Sequence, residues 1–195
     1  MYQRAANGAG EDELLLKSDV DTYAQDWSRD RRSLLFRRPG AKSGVDLWVL
    51  PMDDQGERKP ISLLLRSESL IASARFSPDG RWVAYDSNAT GTYEIYVRPF
   101  PSPAGGGGKW MVSQTGGGYP RWRRDGKELF YLRPDGELMA ADVSSSGAAF
   151  EHGIPKPLFK ATYVNGWDVS ADGKRFLFAV AGTETPQSPF TVLLN

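Results

Sequence analysis

Cysteine is absent from this chain of 195 residues, and histidine occurs once, as His152. The first absence excludes disulfides and thiolate chemistry. The second leaves any zinc site to be built mainly from carboxylates, unlike the usual cysteine and histidine sets, so His152 is expected in a loop. An excess of one charge is missing too. Lys and Arg number 24 and Asp and Glu number 24, which gives no electrostatic case for nucleic acid. Long hydrophobic runs are lacking: FLFAVA at 176–181 is far short of the ~20 residues that span a bilayer. The opening MYQRAANGAGEDELLLK has no apolar core of a signal peptide. Apolar residues at helical spacing are not sustained over ten residues anywhere. What is abundant is the material of turns and sheets: 21 Gly, 13 Pro and 12% aromatic residues.

The main positive signal is an internal repeat. Four segments align without gaps: AQDWSRDRRSLLF at 24–36, SARFSPDGRWVAY at 73–85, YPRWRRDGKELFY at 119–131 and GWDVSADGKRFLF at 166–178. Each carries an apolar anchor (Trp27, Phe76, Trp122, Val169) followed three residues later by Asp30, Asp79, Asp125 or Asp172. Those aspartates are 49, 46 and 47 residues apart. A period in the forties with several short strands per unit is the pattern of four-stranded propeller blades.

Each unit reads as strands a to d. In the second unit these are 73–77, 81–87, 92–100 and 109–113. The a–b turn, Ser77-Pro78-Asp79-Gly80, has the residues a tight turn needs, whereas the first unit has Arg31 in place of the glycine. Strand b is apolar on both faces (Trp82-Val83-Ala84-Tyr85, Leu129-Phe130-Tyr131-Leu132), as a blade sandwiched between two others requires. Segments 1–4 and 13–17 fit the c and d strands of a preceding blade, and 190–194 fits a strand c of the last. The expected fold is therefore all-β: a partial β-propeller of about four antiparallel blades. Residues 1–18 are half a blade, 19–66, 67–114 and 115–162 are full blades, and 163–195 form a three-stranded blade. The expected shape is an arc of a longer propeller; closure of a small ring is the alternative.

FSPDGRWVAYDS at 76–87, the following Tyr93-Glu94-Ile95-Tyr96-Val97, YPRWRRDGKELFYL at 119–132 and DVSADGKRFLF at 168–178 resemble the TolB-type, WD-repeat-like propeller repeat. The stretch 76–195 also resembles the C-terminal propeller of bacterial membrane-bound serine/threonine protein kinases. The resemblance implies a sensory or protein-binding module in an extracytoplasmic compartment, and little more, because this repeat serves kinases, transport-associated proteins and peptidases alike. The kinase HRD and DFG patterns and the G-x-S-x-G elbow of serine hydrolases do not occur.

No catalytic residue, metal ligand or cofactor site is expected. The Gly105–Gly108 run fails as a phosphate-binding loop because Trp110 stands where Ser or Thr is needed. Asp79, Asp125 and Asp172 are expected to cap turns, not to hold calcium. Tyr23, Tyr119 and Trp167 open their a strands and form a candidate binding rim for a protein or peptide partner. Asp26, Arg75, Arg121 and Asp168 share one position on the innermost strands. Their signs allow Asp26–Arg75 and Arg121–Asp168 pairs between blades, or a polar channel mouth that reads a ligand. Trp27, Phe76 and Trp122 are expected in the core. The leading functional expectation is a non-enzymatic binding module. The competing one is the non-catalytic propeller of an enzyme, either a membrane kinase or a prolyl-oligopeptidase-like hydrolase; a sugar lyase has less support.

Overall fold

The computed structural model describes residues 1–8, 10–53, 57–102, 107–146, 149–161 and 166–179. Strand 190–194, expected in the last blade, lies outside the described residues. The first sheet is the antiparallel pair β1 (Tyr2–Gln3) and β2 (Glu13–Leu14). The second is a meander of β3 (Tyr23–Trp27), β4 (Ser33–Pro39), β5 (Val45–Pro51) and β6 (Ser62–Leu65). The third repeats it with β7 (Ala74–Phe76), β8 (Trp82–Ser87), β9 (Glu94–Pro99) and β10 (Trp110–Met111). The fourth holds β11 (Gly118–Trp122), β12 (Glu128–Leu132), β13 (Glu137–Ser146), β14 (Ala149–His152) and β15 (Lys156–Lys160). The last described pair is β16 (Trp167–Val169) and β17 (Phe176–Phe178).

The fourth sheet departs from expectation. Strand β13 runs on past the sheet edge and turns back as β14, pairing Val143 with His152 and Ser146 with Ala149. This extra hairpin lies between strands c and d, so the sheet has five strands, and His152 ends a strand, not a loop. The hairpin has a packing reason. Phe150 is buried, with its ring 5.1 Å from that of Trp82 and 5.5 Å from that of Trp110 in the neighbouring sheet.

Among the described residues four apolar seams hold the sheets face to face. Strand b supplies two of them at once, because alternate side chains leave opposite faces of a strand. Val83 and Tyr85 enter the seam with Leu35, Leu47 and Val49 of the second sheet. Trp82 and Ala84 enter the seam with Leu129, Tyr131 and Met139 of the fourth. In turn Phe130 and Leu132 face Trp167. Strand β8 is buried along its whole length as a result.

The anchors face the preceding sheet: Phe76 packs on the second, Trp122 on the third and Val169 on the fourth. This rule corrects one expectation. Trp27 is 39% exposed instead of buried. The first sheet has only two described strands; Leu15, just after β2, packs on Leu34, Phe36, Leu50 and Met52, and Trp27 stays uncovered.

The a–b turns repeat one another. In the third sheet the Ser77 hydroxyl donates to Asp79 at 2.5 Å, and the Arg81 and Trp82 amides donate to Asp79 (3.1 Å) and Ser77 (2.9 Å). Ser28 and Asp30, and Ser170 and Asp172, make the same set. In the fourth sheet Arg123 replaces the serine and forks onto Asp125 at 2.7 and 2.9 Å. Gly80, Gly126 and Gly173 take positive φ here, and Arg31 takes φ 60. The first turn thus forms in the same left-handed geometry despite lacking glycine.

Candidate functional site

A cleft of about 280 Å³ opens where the third and fourth sheets meet, at the end where strands a begin. Its lining is mostly apolar: Tyr93 from the start of strand c, Tyr119 from β11, and Leu132 and Pro134 from the next b–c turn. Tyr93 and Tyr119 both expose their side chains. Two features of the chain aim Tyr119 at this spot. The β11–β12 register slips between Gly118 and Arg121, so a bulge turns the strand. Tyr119 itself sits at φ 56, a left-handed conformation that a bulky residue rarely adopts and that surrounding structure must hold.

Asp86 holds it. This carboxylate is 0% exposed at the floor of the cleft. It accepts the Ala72 and Ser73 amides at 2.8 Å each, the Ser73 hydroxyl at 2.9 Å and the Tyr119 amide at 2.9 Å. A buried carboxylate is tolerable only when its oxygens are so satisfied. Three of these donors belong to its own sheet and one to the next, so Asp86 fixes the bulge across the seam. The adjoining glycines close the floor: a Cβ on Gly117 would meet Tyr131 at 2.8 Å and Ile95 at 2.9 Å. Neither Asp86 nor Tyr93 stood out from the repeat, whose alignment puts Arg37 and Leu132 opposite Asp86. The available signal was a single carboxylate inside an otherwise buried strand.

The three rim aromatics do not share a surface. Tyr119 lines the cleft; Tyr23 is exposed on the second sheet, under the Arg37 guanidinium at 5.0 Å. Trp167 is 5% exposed and stacks on Phe178 at 6.0 Å, so it is packing and not rim. The reason is period two: Trp167 shares a face with the anchor Val169 and turns with it into the seam.

The charge quartet lies along the innermost strands. Arg121 Nε is 3.7 Å from Asp168 Oδ1, and its guanidinium lies 5.5 Å from the Trp167 ring. The expected Asp26–Arg75 ion pair does not form. Asp26 instead accepts the Phe76 amide at 2.9 Å and its neighbour Trp27's at 3.0 Å, while Arg75 Nη1 donates to the Gln25 and Ala74 carbonyls. Blade register is thus set here through backbone groups. Burial raises the Asp26 carboxyl above its ordinary value, against the Phe76 hydrogen bond and the Arg75 charge. Burial also lowers Arg121 to about 10, and the like charge of Arg75 acts in the same sense. The turn aspartates spend oxygens on turn donors, and no group of three or more metal-ligating side chains occurs among the described residues.

No protein-family model and no curated protein matches the chain. Solved structures do. TolB from Acinetobacter baumannii superposes with a TM-score of 0.52 at 14% identity, over 91% of this chain and 53% of that one. A protein assigned as TolB from Agrobacterium tumefaciens gives 0.58 at 18%, over 77% and 55%. The periplasmic gluconolactonase of Pseudomonas aeruginosa gives 0.56 at 16%, over 90% and 55%. At these identities the likeness establishes the fold, so the four-stranded sheets are propeller blades. The chain spans about half the length of each of these structures.

Proposed function

We propose that these blades are a non-catalytic binding module, which receives an apolar side chain of a protein or peptide partner in the Tyr93–Tyr119 cleft. The observation that carries this is Tyr119, held in a costly backbone conformation by a buried carboxylate so that its ring lines an open, mostly apolar cleft. Strain of this kind collects at working sites, and exposed tyrosines are favoured anchors of protein interfaces. The setting is extracytoplasmic, supported by the sequence resemblance and by the periplasmic gluconolactonase among the similar structures. The finer version, in which the module is the sensor end of a membrane serine/threonine kinase, rests on the sequence resemblance alone.

The test is a peptide selection against the folded chain, followed by titration of the selected peptides against Tyr119→Ala, Tyr93→Ala and the distant control Ile154→Ala. Ile154 is among the most exposed apolar residues and lies on another part of the fold. Binding should fall at least tenfold in the two tyrosine variants and stay unchanged in the control. Peptides that bind all three variants equally would overturn the assignment.

A further inference from the structure

The innermost strands hold a second arrangement that the cleft does not use. Arg75 and Arg121 occupy equivalent positions on β7 and β11, which lie beside one another. Each guanidinium is tethered by backbone carbonyls through Nη1 alone: Gln25 and Ala74 for Arg75, and Pro120 at 2.9 Å for Arg121. Among the described residues no carboxylate lies within ion-pair distance of Arg75, Asp26 acting on it only at longer range, and its hydrogen bonds leave Nε and Nη2 unused. Arg121 has one carboxylate within ion-pair distance among the described residues, Asp168 at 3.7 Å, with Asp26 and Asp86 acting on it at longer range. The Asp168 carboxylate is 74% exposed, while the Arg121 side chain is 17% exposed.

The other acids nearby are committed. Asp26 gives one oxygen to the Phe76 amide and the other to the Trp27 amide. Asp86 has four donors of its own. What this part of the molecule leaves unsatisfied is thus a set of guanidinium N–H donors on two side chains of like charge, both fixed in place. Planar forks of this sort match the paired oxygens of carboxylate and phosphate groups. Fixing them in advance lowers the ordering cost of binding.

We infer that Arg75 and Arg121 form an oxyanion-binding site on the axial side of the blades, which takes a carboxylate or phosphate group between the two guanidiniums. Asp168 is the gate of this site. Its Oδ1, the oxygen facing Arg121, also accepts the Val169 amide at 2.9 Å, so the long 3.7 Å contact to Arg121 is the one that yields when the anion arrives, and Oδ2 is available to a hydroxyl or ammonium group on the same ligand.

The experiment uses the full chain with nitrogen-15 label. Arginine Nε–H resonances and tryptophan fluorescence are followed during titration with potassium succinate, inorganic phosphate, and a short peptide with either a free or an amidated C-terminus. Potassium chloride at matched ionic strength is the reference. The expected result is saturable shifts confined to Arg75 and Arg121, with a fluorescence change from Trp167 beneath Arg121. The free-terminus peptide acting while its amide does not would mark a chain terminus as the source of the carboxylate. Succinate or phosphate acting alone would mark a small molecule. Arg75→Gln should weaken binding at least tenfold, and Arg58→Gln should leave it unchanged. If Arg75→Gln loses the folded spectrum, Arg121→Lys supplies the same reading, since it keeps the charge and loses the fork. Shifts that are linear in salt and alike at all arginines, or saturable binding that survives in the folded variant, overturn the site.

Discussion

Replacing Asp86 by alanine removes the acceptor of four hydrogen bonds at once. The Ser73 hydroxyl can rotate to another partner, but the three amides cannot. A donor left unsatisfied in the interior costs about 1–3 kcal/mol. The Ser73 amide carries that cost in full because Ser73 is buried. Ala72 and Tyr119 reach water more easily and carry less. The sum is roughly 3–5 kcal/mol, a large share of the ~5–15 kcal/mol by which a domain is stable. Asp86→Asn should cost less, about 1–3 kcal/mol. Its remaining oxygen can still accept the Ala72 and Ser73 amides, while its NH₂ group then faces the Tyr119 N–H, donor against donor. Urea unfolding gives the two magnitudes. Amide hydrogen exchange gives the mechanism: in the Asn variant the Tyr119 amide should lose protection while those of Ala72 and Ser73 keep theirs. Peptide binding at the cleft should weaken in the same variant. An Ala variant within about 1 kcal/mol of wild type, or Ala and Asn variants of equal stability, would refute the reasoning.

Truncation at one repeat position should depend on what covers it: Trp122→Ala is expected to cost roughly 2–4 kcal/mol and Trp27→Ala less than about 1.5 kcal/mol, since Trp27 is already 39% exposed; equal losses in urea unfolding would reject the seam assignment. Arg31→Gly relieves a left-handed residue by about 1–2 kcal/mol and adds roughly 0.5–1 kcal/mol of unfolded-chain entropy, so a net gain near 0.5 kcal/mol is expected, and a loss above ~1 kcal/mol counts against the turn geometry. Two aspartates should bend the pH–stability curve in opposite senses. The Arg123 guanidinium, with the Lys127 amide, holds Asp125 at about 2 against an ordinary 3.8; this support is present above that ordinary value and is lost as pH falls toward 2, modestly because the group is exposed. Burial raises Asp26, so the folded state binds its proton more tightly and stability falls as pH rises from 3.8 through the raised value. Asp125→Asn should flatten the first slope and Asp26→Asn the second; the same change of slope in both variants would contradict these assignments.

The sequence alone determined whatever depends on neighbours along the chain. The Ser-x-Asp turn with a left-handed residue after the aspartate and the two-faced b strands are local properties, written in residues a few positions apart, and their recurrence every 46–49 residues marks the blades. They place strands a, b and c of the second, third and fourth sheets close to where they lie. Tertiary structure decided everything that depends on what stands across a seam. Phe76 and Trp27 fill the same repeat position, yet one is covered by a complete sheet and the other is not. Trp167 shares its strand face with Val169 and is consumed in packing, while the bulged Tyr119 is turned outward. Asp26 found an amide of the next sheet instead of Arg75. Phe150, far from Trp82 and Trp110 in sequence, brought a hairpin with it to close on them. Asp86 looks like one polar residue in an apolar strand until the next sheet presents the Tyr119 amide to it. A repeat specifies what each blade offers, but a side chain's surroundings are set by the blade beside it, because burial and hydrogen bonding are shared between two surfaces.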